Sequence, residues 1–198
     1  AVREVLAGGH QEGFRHLQSI FDQDGNYAGA TELVTFYENH DLPRLQSLGA
    51  SDEVANLALA LLVSSRGVPC IYYGAEQYLH NDTGGGEDPY NRPMMEKWEE
   101  TPATGIIAAL ASERKKNTAL QWGGQWPKWV DEETYVFLRP YGDSRCLVAL
   151  NIGPDRDIDV PDVEIPDGSY SCLLSGKEVV VTGNSVHLAL GFNEAVVI

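Results

Sequence analysis

The residues with the most chemical capacity fall in two clusters. The run Leu33-Val34-Thr35-Phe36-Tyr37-Glu38-Asn39-His40-Asp41 ends an apolar, β-branched and aromatic segment in a carboxamide, an imidazole and a carboxylate. Further along, Glu76, Asp88 and Arg92 share an irregular stretch with Tyr78, Tyr90 and Trp98. Carboxylates and guanidinium groups accept from and donate to hydroxyls, and an aromatic face stacks on a sugar ring. The set therefore suits a hydroxyl-rich ligand held by Asp41 and His40 at one end and Asp88 and Arg92 at the other, with Tyr90 or Trp98 to stack. Asp88 with Arg92 also reads as an ordinary surface ion pair, and Glu76 reads as a residue that fixes loop geometry.

Other chemistries find no support. The chain has no Gly-x-Ser-x-Gly elbow, and the loop after Gly74 has no glycine fingerprint opening a helix, so neither a serine nucleophile nor a dinucleotide site is indicated. Asp22, Asp24 and Asn26 have the opening spacing of a calcium loop. Tyr27 stands where that loop needs Gly and Leu33 where it needs Glu, so the segment is read as a helix end with Gly25 as a left-handed cap. His10, His16, His80 and His187 show no ligand spacing and are read as surface or structural residues. Three cysteines without metal spacing give no zinc motif and no disulfide framework. Cys70 reads as a small buried hydrophobe, and whether Cys146 and Cys172 pair is left open, neighbouring strands being the condition for it.

The elements that must position these groups can be read in order. Residues 12–21 place Phe14, Leu17, Ile20 and Phe21 on one helical face. The run 33–37 reads as a strand buried on both faces, and polar groups at the C-terminal end of such a parallel strand sit where barrel enzymes build their sites. Ser51 caps a helix with Asp52 and Glu53 in its first turn and Val54, Leu57, Leu61 and Leu62 in its buried stripe. Val68–Tyr73 follows as a second buried strand closed by Gly74, which makes a strand–helix–strand unit with a parallel pair. A helix over 104–115 buries Ile106, Ile107, Leu110 and Ala111. The stretch between Gly74 and this helix, with Gly84-Gly85-Gly86, is too long for a plain connection and is read as functional.

Beyond Trp122 the pattern changes to short runs at 134–139, 146–151, 170–174, 178–181 and 195–198, separated by Gly, Pro, Asp and Asn turns. This spacing predicts an antiparallel β-sandwich. The expected fold is α/β plus all-β, with one unit over 1–120 and a second over 121–198, the boundary lying at 118–125. Trp122, Trp126 and Trp129 form either a sugar-stacking platform or, preferably, an inter-domain seam. The 198 residues carry a net charge of -15, which argues against nucleic acid or an anionic membrane as partner and suits solubility. No apolar run approaches a membrane span, and no signal peptide is recognised.

Three motifs carry a family resemblance. Thr35–Asp41 resembles the fourth signature region of the α-amylase superfamily of glycoside hydrolases, Ser65–Tyr78 resembles its eighth barrel strand and exit, and Asp88-Pro89-Tyr90-Asn91-Arg92 is similar to a donor-subsite motif of its glucanotransferase and maltogenic branches. The resemblance extends over nearly the whole chain. It implies the last part of a (β/α)8 TIM barrel followed by an antiparallel β-sandwich, acting on α-1,4-glucans. It makes Asp41 the third catalytic carboxylate, has His40 bind the ring at the cleavage subsite and Asp88 and Arg92 bind a donor sugar, and gives Asn39 and Glu76 supporting roles. Glu38 departs from the family pattern, which has an Asp or an apolar residue there. The resemblance also implies that the nucleophile and general acid come from upstream barrel strands, as a retaining glycosidase requires both. This chain alone is then expected to be inactive, with the upstream part of the barrel as its partner. Calcium is implied for the complete enzyme and no metal within this chain, and residence is implied to be secreted or periplasmic. Hydrolysis of the α-amylase type is expected slightly ahead of cyclising transfer, because glucanotransferases usually carry further domains; a non-catalytic maltooligosaccharide-binding remnant is the third reading.

Overall fold

The computed structural model describes residues 1–198. Two short helices, α1 (Val2–Leu6) and α2 (Phe14–Phe21), precede strand β1 (Val34–Thr35), helix α3 (Asp52–Ser64) and strand β2 (Val68–Pro69). Helices α4 (Pro102–Arg114) and α5 (Thr118–Trp122) then lead into eight strands: β3 (Trp126–Val130), β4 (Thr134–Tyr141), β5 (Ser144–Asn151), β6 (Arg156–Pro161), β7 (Gly168–Ser171), β8 (Glu178–Thr182), β9 (Ser185–Leu190) and β10 (Glu194–Val197).

The strand–helix–strand unit forms as expected. β1 and β2 are parallel, with Val34 opposite Val68 and Thr35 opposite Pro69, and the main-chain N–H of Cys70 donates to Thr35 O at 2.8 Å. The Ser51 hydroxyl accepts from Val54 N at the start of α3, beside the acidic first turn. Every residue from Leu57 to Ser64 is buried, so α3 lies inside the molecule beyond its exposed first turn. Gly67, at φ 101°, makes the return to β2, where an added Cβ would stand 2.6 Å from Leu33 O. A Thr101–Thr104 capping box and Pro102 open α4, two residues before the expected start.

Both barrel-like strands are shorter and more exposed than their apolar sequences predict. β1 and β2 have two residues each, and Val34, Phe36 and Val68 are 61%, 47% and 51% exposed while Tyr37 is buried. The alternation arises because helices cover only one flank of this pair. Two smaller expectations fail, and the open question of a disulfide is answered. Gly25 lies in a 3-10 turn without a positive φ, because α2 ends in right-handed Asp22 instead. Cys70 is exposed at the uncovered end of β2, and Cys146 and Cys172 are unpaired. Those two could not pair because Cys146 in β5 faces the helices while Cys172 lies in the core between the sheets.

The C-terminal strands form two antiparallel sheets, ordered β10-β5-β4-β3 and β6-β9-β8-β7. Two-residue turns at Gly142-Asp143 and Gly183-Asn184 join β4 to β5 and β8 to β9, and both Gly183 and Asn184 have φ 60°. Alternation across the first sheet sends Tyr135, Phe137, Cys146, Val148 and Leu150 toward the helices. Val136, Leu138, Leu147 and Ala149 point toward the second sheet. β4 and β5 are therefore buried on both faces, and the chain stacks as helices, sheet and sheet. β3, β6 and β9 were not anticipated. β3 is broken by Pro127, and β6 alternates Ile158 and Val160 with exposed Asp157 and Asp159.

Candidate active site

The strand-end cluster lies just beyond β1. The Asp41 N–H donates to Asn39 Oδ1 at 2.9 Å, a short turn that fixes the backbone between them. His40 Nε2 stands 3.4 Å from Asp41 Oδ1, and their side chains are 63% and 73% exposed. An apposed imidazole and carboxylate thus face solvent together, free to accept from and donate to a bound hydroxyl. Asn39 thus acts on the backbone of the turn.

A buried network holds this cluster in place. The Glu38 carboxylate is buried and accepts from Arg44 Nη1 at 3.0 Å and from Leu45 N at 2.9 Å. Arg44 is fully buried, its guanidinium 4.0 Å above the Tyr72 ring and 4.8 Å from that of Tyr73. Arg44 Nε donates to Asn91 O at 3.0 Å, and the buried Asn91 side chain donates to His40 O at 2.7 Å and Leu42 O at 3.3 Å. The peptide units that carry His40 and Asp41 are thereby stitched to the loop that carries Asp88 and Arg92. Burial, with the Glu38 charge second, drives the Tyr37 phenol well above its usual range, so it stays neutral beside this pair.

The long stretch after Gly74 is ordered by 3-10 turns at Ala75–Gln77 and Thr83–Gly86. Asp88 and Arg92 form an ion pair at its surface, and Tyr90 beside them is 39% exposed. Glu76 contributes through its main chain: its carbonyl accepts from Thr101 Oγ1 at 2.6 Å, tying the exit of β2 to the start of α4. Trp98 is 68% exposed. Trp122 and Trp126 are half exposed and seal no seam, whereas Trp129 packs on the core between the sheets with its indole N–H on Asp131. The Asp24 carboxylate is occupied by Arg66 Nε at 2.8 Å and Nη2 at 2.5 Å, consistent with a helix end and not a calcium loop.

Glu38, Arg44 and Asn91 were missed as organisers of the site. The available signal was the departure at Glu38: a carboxylate directly after an apolar strand needs a cation, and Arg44 is the next one along.

Residues 13–138 match the model of the α-amylase catalytic domain. The chain belongs to the α-amylase family of glycoside hydrolases. A cyclomaltodextrin glucanotransferase of Paenibacillus macerans is 38% identical over 96% of this chain and 26% of its own length. An α-amylase of Niallia circulans is 34% identical over 93% of this chain and 34% of its own length. The chain thus spans about a quarter to a third of these relatives. Among solved structures, a cyclomaltodextrin glucanotransferase with a three-domain ABC distribution superposes with a TM-score of 0.92 at 39% identity, over 99% of this chain and 42% of that one.

Proposed function

We propose that this chain is the barrel-closing segment and following β-domain of a retaining enzyme acting on α-1,4-glucans, with Asp41 as the third carboxylate of its site. The observation that carries the reading is the exposed Asp41–His40 pair at the end of a parallel strand, tied through buried Asn91 to the Asp88–Arg92 loop. In this reading Asp41 and His40 grip hydroxyls of the sugar being cleaved, and the Asp41 charge stabilises the oxocarbenium-like transition state. Asp88 and Arg92 hold a sugar on the donor side, and Asn39 and Glu76 keep the two loops in shape. The bond-breaking nucleophile and general acid come from further strands of a (β/α)8 barrel, whose place is the uncovered flank of β1 and β2. Calcium belongs to that complete enzyme, and the family's export makes it secreted or periplasmic.

Within this class the relatives favour glucanotransfer. The three-domain glucanotransferase removes the lean toward hydrolysis that rested on domain number. The α-amylase relative supports hydrolysis as the second reading. In the complete enzyme, Asp41→Asn is expected to lower kcat on amylose by about 100- to 1000-fold, as loss of a transition-state charge contact does. Wild-type turnover in that variant would refute the role given to Asp41. Cyclic products from amylose mark transfer, and linear reducing sugars alone mark hydrolysis.

A further inference from the structure

The turn between α1 and α2 gathers side chains that their sequence spacing does not connect. His10, Glu12 and His16 each bring one ligand atom to within 4.8 Å of the others. The two imidazoles stack nearly parallel, centroids 4.0 Å apart at 11°. Glu4 Oε2 lies 3.1 Å from His16 Nε2, where an outer carboxylate orients a ligating histidine.

The backbone under this group is pinned. His10 N donates to Glu4 O at 3.0 Å and Gly13 N to His10 O at 2.8 Å, while Phe14 N reaches across to Glu132 O in the turn between β3 and β4 at 3.1 Å. Gly9 and Gly13 supply the positive φ values, 59° and 50°, that fold the turn back on itself. Arg15 adds an ion pair to Glu132 at 2.9 Å. The three side chains therefore project from a fixed frame, and only rotamers need to adjust.

We propose that His10, Glu12 and His16 form a binding site for a borderline transition-metal dication of the Zn2+ type. Two imidazoles and one carboxylate are a donor set that suits zinc and not calcium, which takes oxygen ligands. Ligands 2.0–2.1 Å from a tetrahedral zinc stand about 3.3 Å apart, so closing the present spread needs movements of under about 2 Å. His10 Nδ1 now accepts from Glu12 N at 3.2 Å, a long hydrogen bond that is easily given up. Water completes the coordination at this exposed turn. A bound ion would staple the α1–α2 turn to α2, whose first turn is held to the sandwich through Glu132.

The test is titration of Zn2+ alone into the protein by calorimetry in a non-chelating buffer, with thermal melts alongside. The tightest Zn2+ site should weaken at least about tenfold in His10→Gln and in His16→Gln, and the zinc-induced rise in Tm should shrink with it. His187→Gln, which removes an imidazole lying between Asp157 and Asp159, should leave that site unchanged. Glu12 is exposed, so Glu12→Gln cannot unfold the chain and provides a third arm with the same expected loss. Undiminished zinc affinity in His10→Gln and Glu12→Gln would overturn the proposal, as would loss of the tightest site in His187→Gln.

Discussion

Arg44→Met removes the cation at the centre of the site's support while keeping an apolar stem of similar length. Glu38 would remain buried with a single donor, Leu45 N, and Asn91 O would lose Arg44 Nε. Breaking a buried pair from one side costs about 3–5 kcal/mol, because the surviving charge is left uncompensated. With a urea dependence of about 2–3 kcal/mol/M, the unfolding midpoint should fall by about 1–2 M. Glu38→Gln strands the opposite charge and should cost a similar amount. The double variant Glu38→Gln/Arg44→Met removes both charges of the pair and should lose only about 1–2 kcal/mol. The two single costs should therefore exceed the double cost by several kcal/mol, a coupling that denaturation of all four proteins measures directly. Additive losses, or an Arg44→Met midpoint within experimental error of wild type, would refute the claim that this ion pair holds the strand end.

Arg139→Met should destabilise the chain by about 3–5 kcal/mol in the same assay, because Arg139 is fully buried and donates to the carbonyls of Ser64, Leu120, Gly123 and Gly124, which no other group would then reach. His187 hydrogen-bonds Asp159 at 2.9 Å and lies 3.5 Å from Asp157, and these carboxylates raise its pKa. Its contribution is thus fully present below the unfolded value of about 6.5 and is lost as pH rises through the higher folded value. Urea midpoints of wild type and His187→Gln should therefore differ more at about pH 5.5 than at about pH 8.5, and the opposite trend would contradict the pairing.

Local signals were legible mostly where one residue determines one geometry. Ser51 marks the start of α3, Gly67 marks the return to β2, and Gly142-Asp143 and Gly183-Asn184 mark turns, whereas the Thr101 cap of α4 was overlooked. The strand-end cluster was legible because Asn39, His40 and Asp41 close the apolar run 33–37 a few residues beyond β1. Burial was less legible. Val34, Phe36 and Val68 look like core residues, yet their exposure depends on which flank of the pair is covered, and strand composition does not encode that. β6 was overlooked because Asp157 and Asp159 mask the inward alternation of Ile158 and Val160. The Glu38–Arg44–Asn91 network was hidden for a different reason. Its members come from a strand end and two loops, and a buried ion pair between loops leaves no periodicity to read.

The sandwich braces the site more directly than its distance along the chain suggests. Arg139 in β4 donates to Ser64 O, and Arg114 in α4 donates to Val63 O, Ser65 O and Gly67 O, so two cations hold the last turn of α3 where its carbonyls lack helical partners. Gln125 Oε1 then accepts from Arg66 N, and Gln125 Nε2 donates to Tyr135 in β4, whose hydroxyl donates to Gln18 in α2. Residues 63–67 are the stretch from which β2 departs, and β2 leads within a few residues to Tyr72 and Tyr73, the aromatic bed of Arg44. A shift of the first sheet against α3 would therefore reach Arg44 through β2, and from Arg44 reach His40 through Asn91. That chain of contacts makes the sandwich a support for the strand-end cluster, with the Asp41 carboxylate as its far end.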